Sequence, residues 1–268
     1  MIKIENPQAW YEAIQIRRSR RAFNGKPVEQ AIIEELEDIY NNFNKQVTGA
    51  RIVVVQENAD EAFKGIIGSY GKIKGAPAYI AFVGDMDDTN VQEKVGYLGE
   101  AAILEATVKG LGTCWVAGFF RPTIVAKHTE IKENEKVLAI TPIGYTEQVK
   151  TTEEKLMSDM AGSHKRKPLE ELYTGLPKQQ WSSWVEPALE AARIAPSAVN
   201  RQPWRFLVKE QAVTVLLDRE FNLYRISKRL DCGIAMLHLE VAALVKGITG
   251  GWTLLEDPEI AKFEVSKQ

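Results

Sequence analysis

The heptapeptide KGLGTCW at residues 109–115 returns later in the chain as KGITGGW at residues 246–252, with lysine, glycine and tryptophan in register. At the same offset, Gly96 falls on Gly233. In both places the heptapeptide ends a long apolar pattern with helical spacing. A repeat whose period is close to half the chain is too long for a solenoid. It predicts two similar halves within one polypeptide, although a short glycine-containing segment can also recur by coincidence.

The predicted elements around the repeat follow the same order in both halves: a helix, two strands, the long apolar helix and a further strand. RIVVV at residues 51–55 is a β-branched run typical of a strand that is buried on both faces. Small residues along the helix predicted at 91–109 allow a second helix to approach closely. The sequence therefore predicts an α+β fold in which mixed sheets surround long central helices, arranged as an internally duplicated pseudo-dimer. The other predicted strands are residues 78–83, 137–143, 204–208, 212–217 and 252–255, with an extended tail at 263–265.

Segment boundaries follow from helix signals and from one polar stretch. Asn6 and Pro7 predict the start of a first helix, and Pro27 predicts a second helix over residues 28–43. Residues 150–167 are polar and charged, which indicates a connecting segment. The predicted division is a first half, a connecting segment and a second half that together form one compact unit. Their bounds are residues 1–150, 151–178 and 179–268.

Composition and charge argue against several classes of protein. The 268 residues carry a formal net charge of −2, which gives no electrostatic case for binding nucleic acid. Two cysteines make no disulfide framework, and three scattered histidines do not suggest a metal site. Residues 232–248 are the most apolar stretch, but charged residues interrupt it, so it predicts a buried helix rather than a membrane span. Without the features of a signal peptide at residues 1–13, we expect a cytoplasmic protein.

Two polar stretches at opposite ends of the chain are candidates for a binding site. Residues 17–21 read RRSRR, and their guanidinium forks and hydroxyl suit a small doubly charged anion such as phosphate. Cations near a helix C-terminus also complement the helix dipole, so the cluster taken alone is also typical of an exposed helix end. Residues 195–204 read APSAVNRQPW, in which proline and asparagine are also common helix-stop residues. Taken separately, these residues leave both alternatives open.

Three motifs together resemble the nitroreductase family of FMN-dependent oxidoreductases. They are RRSxRxF at residues 17–23, GxGxxWVxGF at 110–119 and APSAxNxQPWxF at 195–206. Residues 72–78 are similar to the family's loop that lines the isoalloxazine ring, and residues 164–172 are similar to its basic segment at the phosphate. The chain resembles in particular the single-chain, duplicated branch sometimes labelled TM-type nitroreductases.

The order of these motifs departs from that of ordinary family members. In the family's homodimer, each flavin takes the RRS motif from one subunit and the PSxxN loop from the other. Here the first half carries YNNFNKQ at residues 40–46 in place of that loop, and the second half carries EAAR at 190–193 in place of RRS. One good copy of each motif remains, in opposite halves. The resemblance therefore implies one surviving site, one FMN per chain and a monomer that acts as a pseudo-dimer.

The resemblance also assigns roles around that FMN. Phosphate contacts are implied for Arg17, Ser19 and Arg21, joined by Arg166, while Arg18 reaches toward the ribityl chain or the pyrimidine carbonyl. His164 or Lys165 either lies beside the phosphate or remains solvated surface. The opposite wall is implied to consist of Pro196, Ser197, Ala198 and Asn200. Ser69 and Lys72 are implied at the pyrimidine edge, and the backbone near flavin N5 is implied to be that of Ala117 and Gly118.

The implied activity is oxidation of NAD(P)H by bound FMN. Hydride would pass through flavin N5 in ping-pong fashion to nitroaromatics, quinones or similar flat small-molecule acceptors, with no catalytic side chain required as acid or base. An alternative from a different class is a flavin-binding sensor or carrier without efficient turnover. No metal is expected in either case.

Overall fold

Each half contains a sheet packed on a long helix, and the two long helices pack against each other. The computed structural model describes residues 1–57, 59–64, 73–160, 162–222 and 226–266. Within these ranges the helices are α1 (Pro7–Ile16), α2 (Gln30–Gln46), α3 (Ala59–Phe63), α4 (Val91–Val108), α5 (Pro122–Thr129), α6 (Thr152–Met160), α7 (Val185–Arg193) and α8 (Lys228–Val245). The strands are β1 (Ala50–Val55), β2 (Ala78–Asp85), β3 (Gly112–Thr113), β4 (Glu135–Gly144), β5 (Tyr173–Gly175), β6 (Trp204–Lys209), β7 (Ala212–Leu217), β8 (Gly250–Leu254) and β9 (Glu259–Val265).

The two sheets share one topology. The first has the strand order β1-β2-β4-β3, and the second has the order β6-β7-β9-β8 with β5 added in parallel beside β6. The first two strands are antiparallel in both sheets. A register shift follows at the same place in each, between Phe82 and Val83 and between Val215 and Leu216. The two sheets therefore agree in strand order and in the position of one irregularity; that the halves arose by duplication stays a prediction.

The long helices α4 and α8 cross at two glycines that the repeat aligns. A Cβ built on Gly96 would lie 2.0 Å from the Leu230 carbonyl oxygen, and one on Gly233 would lie 2.1 Å from the Glu93 carbonyl oxygen. Leu230 and Glu93 are themselves one repeat apart. Each helix therefore presents its glycine to the equivalent carbonyl of the other, as a twofold arrangement requires. Any side chain at either glycine would force the backbones apart.

Gly233→Ala is accordingly expected to lower the free energy of unfolding by about 2 kcal/mol, because the added methyl group overpacks the crossing. Urea or thermal unfolding measures the loss. Gly251→Ala is the matched control, since no atom lies within 4 Å of a Cβ at that position, and it should leave stability unchanged or slightly raised. Parental stability in Gly233→Ala would contradict the close crossing.

Helix caps explain several of the boundaries. The Asn6 side chain accepts a hydrogen bond from the Ala9 N–H at 3.2 Å, and Pro7 occupies the first turn, which confirms the predicted start of α1. The second helix begins at Gln30, so the start predicted at residue 28 is wrong. Val28 is instead buried in the core ahead of the helix, and Glu29 still has a non-helical ψ of 132°.

Two other predictions need correction. Residues 150–167 are more than a connecting segment, because they contain α6, which buries Glu154 and Met157. The strand at residues 51–55 is β1, at an edge of its sheet, and half of its residues are only partly buried. Full burial on both faces belongs to its neighbour β2. Among the helices of the described residues, none is both long and apolar enough to cross a membrane.

Candidate functional site

A cavity of about 520 Å³ lies where segments from both halves meet. Its walls come from the end of α1, the segment after β3, the residues that follow α6, the loop before β6 and the first turns of α8. All the candidate residues that the structure describes line this cavity; they are Arg17, Arg18, Ser19, Arg21, Ala117, Gly118, Arg166, Pro196, Ser197, Ala198 and Asn200. Ser69 and Lys72 lie outside the described residues. That this set binds FMN stays a prediction.

The arginine-rich stretch is held extended against β3. Ser19 forms a parallel bridge with Thr113, and the Arg20 N–H donates to the Thr113 carbonyl at 2.8 Å. Arg20 points away from the cavity, and its guanidinium donates to Thr146 Oγ1 at 2.7 Å and to Glu154. Arg21 is among the cavity-lining residues. Successive side chains of extended backbone point to opposite sides, so neighbouring arginines are divided between cavity and scaffold.

Glu154 fixes this stretch from the far side. Its Oε1 accepts the backbone N–H groups of Arg21 at 2.7 Å and Ala22 at 3.2 Å, and its side chain is only 2% exposed. Burial alone would raise the pKa of Glu154, but hydrogen bonds from Arg21, Arg20, Thr151 and Ala22 outweigh it and lower the pKa to about 2. The carboxylate therefore stays ionised and orients the strand.

Among the described lining residues, five arginine or lysine side chains stand beside a single carboxylate, that of Asp231. Arg17 Nη1 and Arg166 Nε are buried without a hydrogen-bond partner among the described residues. Burial, together with the positive charges of Arg17, Arg193 and Arg18, lowers the pKa of Arg166 to about 10. Burial also lowers the pKa of Lys150, which lines the same cavity. Buried donors without partners call for an explanation, and in a positive field an anion is one that matches their charge.

The loop before β6 forms the opposite wall in a strained conformation. Val199, Asn200 and Gln202 have positive φ angles of 47°, 57° and 48°. Such values are costly for a β-branched residue such as valine and cluster at functional sites. Ser197 Oγ accepts the Gln202 N–H at 3.0 Å, and this bond lies within the loop itself.

Asp231, in the first turn of α8, anchors the same loop from below. Its Oδ1 accepts the Ala198 N–H at 3.1 Å, and its Oδ2 accepts the Arg201 Nε–H at 2.6 Å. Burial raises the pKa of Asp231 to about 6, against the lowering effect of Arg201 and of the Ala198 N–H. It is the single carboxylate among the described cavity-lining residues, and Arg201 compensates its charge.

Asn200 lies in the predicted wall of the cavity, and its side chain is hydrogen-bonded within the chain. Its amide donates to the carbonyls of Gly162 at 2.7 Å and Lys165 at 2.9 Å, and its Oδ1 accepts from Arg166 Nη1 at 2.7 Å. The side chain is thus engaged by other residues of the chain and holds Arg166 at the cavity wall. Of the two residues left open beside the phosphate, His164 lines the cavity and Lys165 is exposed outside it.

The segment after β3 forms one wall of the cavity. A Cβ on Gly118 would lie 3.4 Å from Ile226, which is an ordinary van der Waals contact. Trp115 packs on Phe82 with ring centroids 4.7 Å apart and donates its Nε1–H to Glu100 Oε2 at 2.6 Å. Trp115 therefore contributes to the core while it lines the cavity.

In the part of the chain that the structure describes, protein side chains occupy the place that the repeat relates to the cavity. Residues 40–46 lie in the last turns of α2, where Tyr40 is buried and donates to the Ala102 carbonyl at 2.8 Å. Leu230 and Gly118 line the cavity, and the repeat aligns them with Glu93 and Leu255, respectively. The guanidinium of Arg229 spans this pair, donating to Glu93 at 2.5 and 2.9 Å and to the Leu255 carbonyl at 3.1 Å. The Arg229 side chain thus lies between the two residues that the repeat aligns with cavity-lining residues.

Sequence reasoning missed Glu154 and Asp231. A signal for Glu154 was present, because Thr151 and Glu154 form a capping box: the Glu154 N–H donates to Thr151 Oγ1 at 3.1 Å and the Thr151 N–H donates to Glu154 Oε2 at 3.0 Å. No local pattern marks Asp231, since its partners Ala198 and Arg201 lie 33 and 30 positions away.

Fold and cavity together define an α+β protein with a cavity rich in basic residues between two similar halves. The family described as "Putative TM nitroreductase" matches residues 9–243, and the chain belongs to this family. A solved structure described as "a putative nitroreductase" from Thermotoga maritima is similar in fold, with a TM-score of 0.64 and 18% identity over 99% of this chain and 97% of that one.

Two further relatives match shorter parts of the chain. "Putative NAD(P)H nitroreductase acg" of Mycobacterium tuberculosis is 30% identical over 79 residues, which are 28% of this chain. The match spans about a quarter of that protein, 24% of its length. A structure described as an FMN-dependent nitroreductase of Clostridium difficile is 19% identical, with a TM-score of 0.42 over 55% of this chain and 94% of that one.

Proposed function

We propose that this chain is an FMN-dependent NAD(P)H oxidoreductase that reduces flat acceptors such as nitroaromatics or quinones in ping-pong fashion. One observation carries the proposal: a cavity between the halves in which Arg17 and Arg166 keep buried donors without partners among the described residues. Such donors need an acceptor, and a phosphate monoester matches their charge and forked geometry. The name of the mycobacterial relative favours a nicotinamide as the electron donor.

The donor set and the cavity fit this cofactor. A volume of about 520 Å³ is within the range of cofactor and drug-sized sites, which is roughly 300–1,000 Å³. Arg17, Arg166, Ser19 and Arg21 would hold the phosphate. The backbone near Gly118 and the loop before β6 would form the walls around the ring. When bound, FMN supplies the hydride chemistry itself.

The chain's own residues bind and orient the cofactor without acting as acid or base. The described carboxylate in the cavity, Asp231, is 2% exposed and held by Arg201 and the Ala198 N–H, so it is occupied in fixing the loop. Val199 presents an apolar side chain, 38% exposed, at the same wall. The remaining open face of the cavity would admit donor and acceptor in turn.

Anaerobic mixing of the purified yellow protein with NADH or NADPH tests the activity. Rapid loss of the oxidised flavin absorbance, restored by a nitroaromatic or a quinone, supports the oxidoreductase. A flavin that stays oxidised with both donors would favour the alternative, a flavin-binding sensor or carrier. Flavin content per chain tests the single site, because a value near two would contradict the closed position around Arg229.

A further inference from the structure

A buried network connects the anion site to the interior of the long helices. Arg17 Nε lies 3.8 Å from Glu100 Oε1, and the two side chains are 9% and 0% exposed. Glu100 lies on α4, and an uncompensated carboxylate there would cancel the charge of Arg17. An anion would then gain little from this arginine. The Arg17 charge is useful for binding only if Glu100 is neutralised from another direction.

His238, on α8, supplies that neutralisation. Its Nδ1 lies 3.0 Å from the Ala191 carbonyl oxygen, and its Nε2 lies 3.0 Å from Glu100 Oε1. A carbonyl oxygen only accepts, so Nδ1 carries a hydrogen. A carboxylate oxygen facing Nε2 at this distance requires a second hydrogen between them, because two lone pairs would repel each other. The other oxygen of Glu100 already accepts from Trp115.

The second proton offsets the charge of Glu100 whichever of the two atoms holds it. If it resides on His238, an imidazolium balances the carboxylate; if it resides on Glu100, both groups are neutral. In either arrangement Arg17 retains its full charge toward the cavity, where its Nη1 has no partner among the described residues. Both histidine and glutamate are sealed from water, at 1% and 0% exposure, so solvent does not screen this effect.

We infer that His238 is a positioning residue that keeps the Arg17 charge available to the cofactor phosphate by holding a proton against Glu100. This inference rests on the proposed function, since it specifies how the FMN phosphate is bound. His238 does not line the cavity; it lies on α8 in the second half, whereas Arg17 belongs to the first half. The inference gives this histidine a role in ligand affinity.

His238→Gln tests the inference, because glutamine can still donate a hydrogen bond to Glu100 but cannot carry the extra proton. The Kd values of FMN and of riboflavin, which has no phosphate, are measured by fluorescence titration of the apoprotein. We expect the FMN Kd to rise about tenfold, as an added negative charge several ångströms from the phosphate predicts. The riboflavin Kd should stay within about twofold of the parent value.

The double variant His238→Gln/Glu100→Gln removes the uncovered charge and should restore FMN affinity to within about threefold of the parent. An unchanged FMN Kd in His238→Gln would overturn the inference. Equal weakening of FMN and riboflavin binding, including loss of both through misfolding, would also overturn it, because the imidazole of His238 would then have a structural role. The inference would likewise be overturned if the double variant did not recover FMN affinity. Failure of the parent protein to bind FMN at all would instead refute the proposed function.

Discussion

Replacing Arg17 and Arg21 together with alanine is expected to weaken FMN binding by about a thousandfold while the chain remains folded. Each guanidinium contributes charge-assisted hydrogen bonds of roughly 1.5–3 kcal/mol, and the loss of two amounts to about 4 kcal/mol. Neither of these side chains makes a hydrogen bond that holds the described fold together; Arg17 has only its 3.8 Å contact with Glu100. Equilibrium dialysis or flavin fluorescence measures the affinity, and circular dichroism confirms the fold.

The matched control for this variant is Arg121→Ala/Lys127→Ala, which removes the same net charge from the exposed surface at α5. It should bind FMN like the parent, so a general effect of net charge is separated from a local one. Parental FMN affinity in the Arg17→Ala/Arg21→Ala variant would show that the phosphate is bound elsewhere.

Glu154→Gln is expected to lower the free energy of unfolding by about 3 kcal/mol at pH 7. The carboxylate accepts three backbone N–H groups and the Arg20 guanidinium, and an amide cannot accept them all. The pKa of Glu154 falls from an ordinary 4.5 to about 2 on folding. Every tenfold change in proton affinity between the folded and unfolded states corresponds to about 1.4 kcal/mol of stability, which gives the expected loss.

The pH dependence of that loss has a definite sign. A depressed pKa contributes stability that is complete above the unfolded value and is lost as pH falls through the folded value. The difference between parent and Glu154→Gln should therefore be full above about pH 5 and nearly gone by about pH 2. Urea unfolding across this range measures it, with Glu133→Gln on the exposed surface as the control. A difference that persists unchanged down to that pH would rule out this account.

Local signals predicted most of the elements. Asn6 and Pro7 mark the first helix because a cap and a proline act within one turn of where they occur. The repeat aligned Gly96 with Gly233, and small residues predicted a close approach of helices; the structure adds that both glycines lie at the crossing of α4 and α8, where a Cβ would come within 2.0–2.1 Å of a carbonyl oxygen. The second helix was placed too early because the burial of Val28 is decided by distant parts of the core.

The motifs predicted which residues line the cavity, but they did not predict the hydrogen bonds among those residues. Asn200 and Arg166 were each placed at the site from sequence, yet their hydrogen bond to each other joins residues 34 positions apart. Glu100 and His238 gave no signal at all, since they meet across 138 positions and lie among apolar neighbours on α4 and α8. Buried polar partners are chosen by tertiary packing, which a single sequence does not display.

The guanidinium of Arg229, which joins Glu93 to the Leu255 carbonyl, shows how one half of such a chain can change without the other. In a dimer of identical chains, every codon is read into both symmetric sites, so a substitution that closes one site closes the other. A polypeptide that carries both halves escapes this coupling. Arg229 can therefore make structural hydrogen bonds in one half, while Gln92, its counterpart one repeat earlier, can be substituted independently.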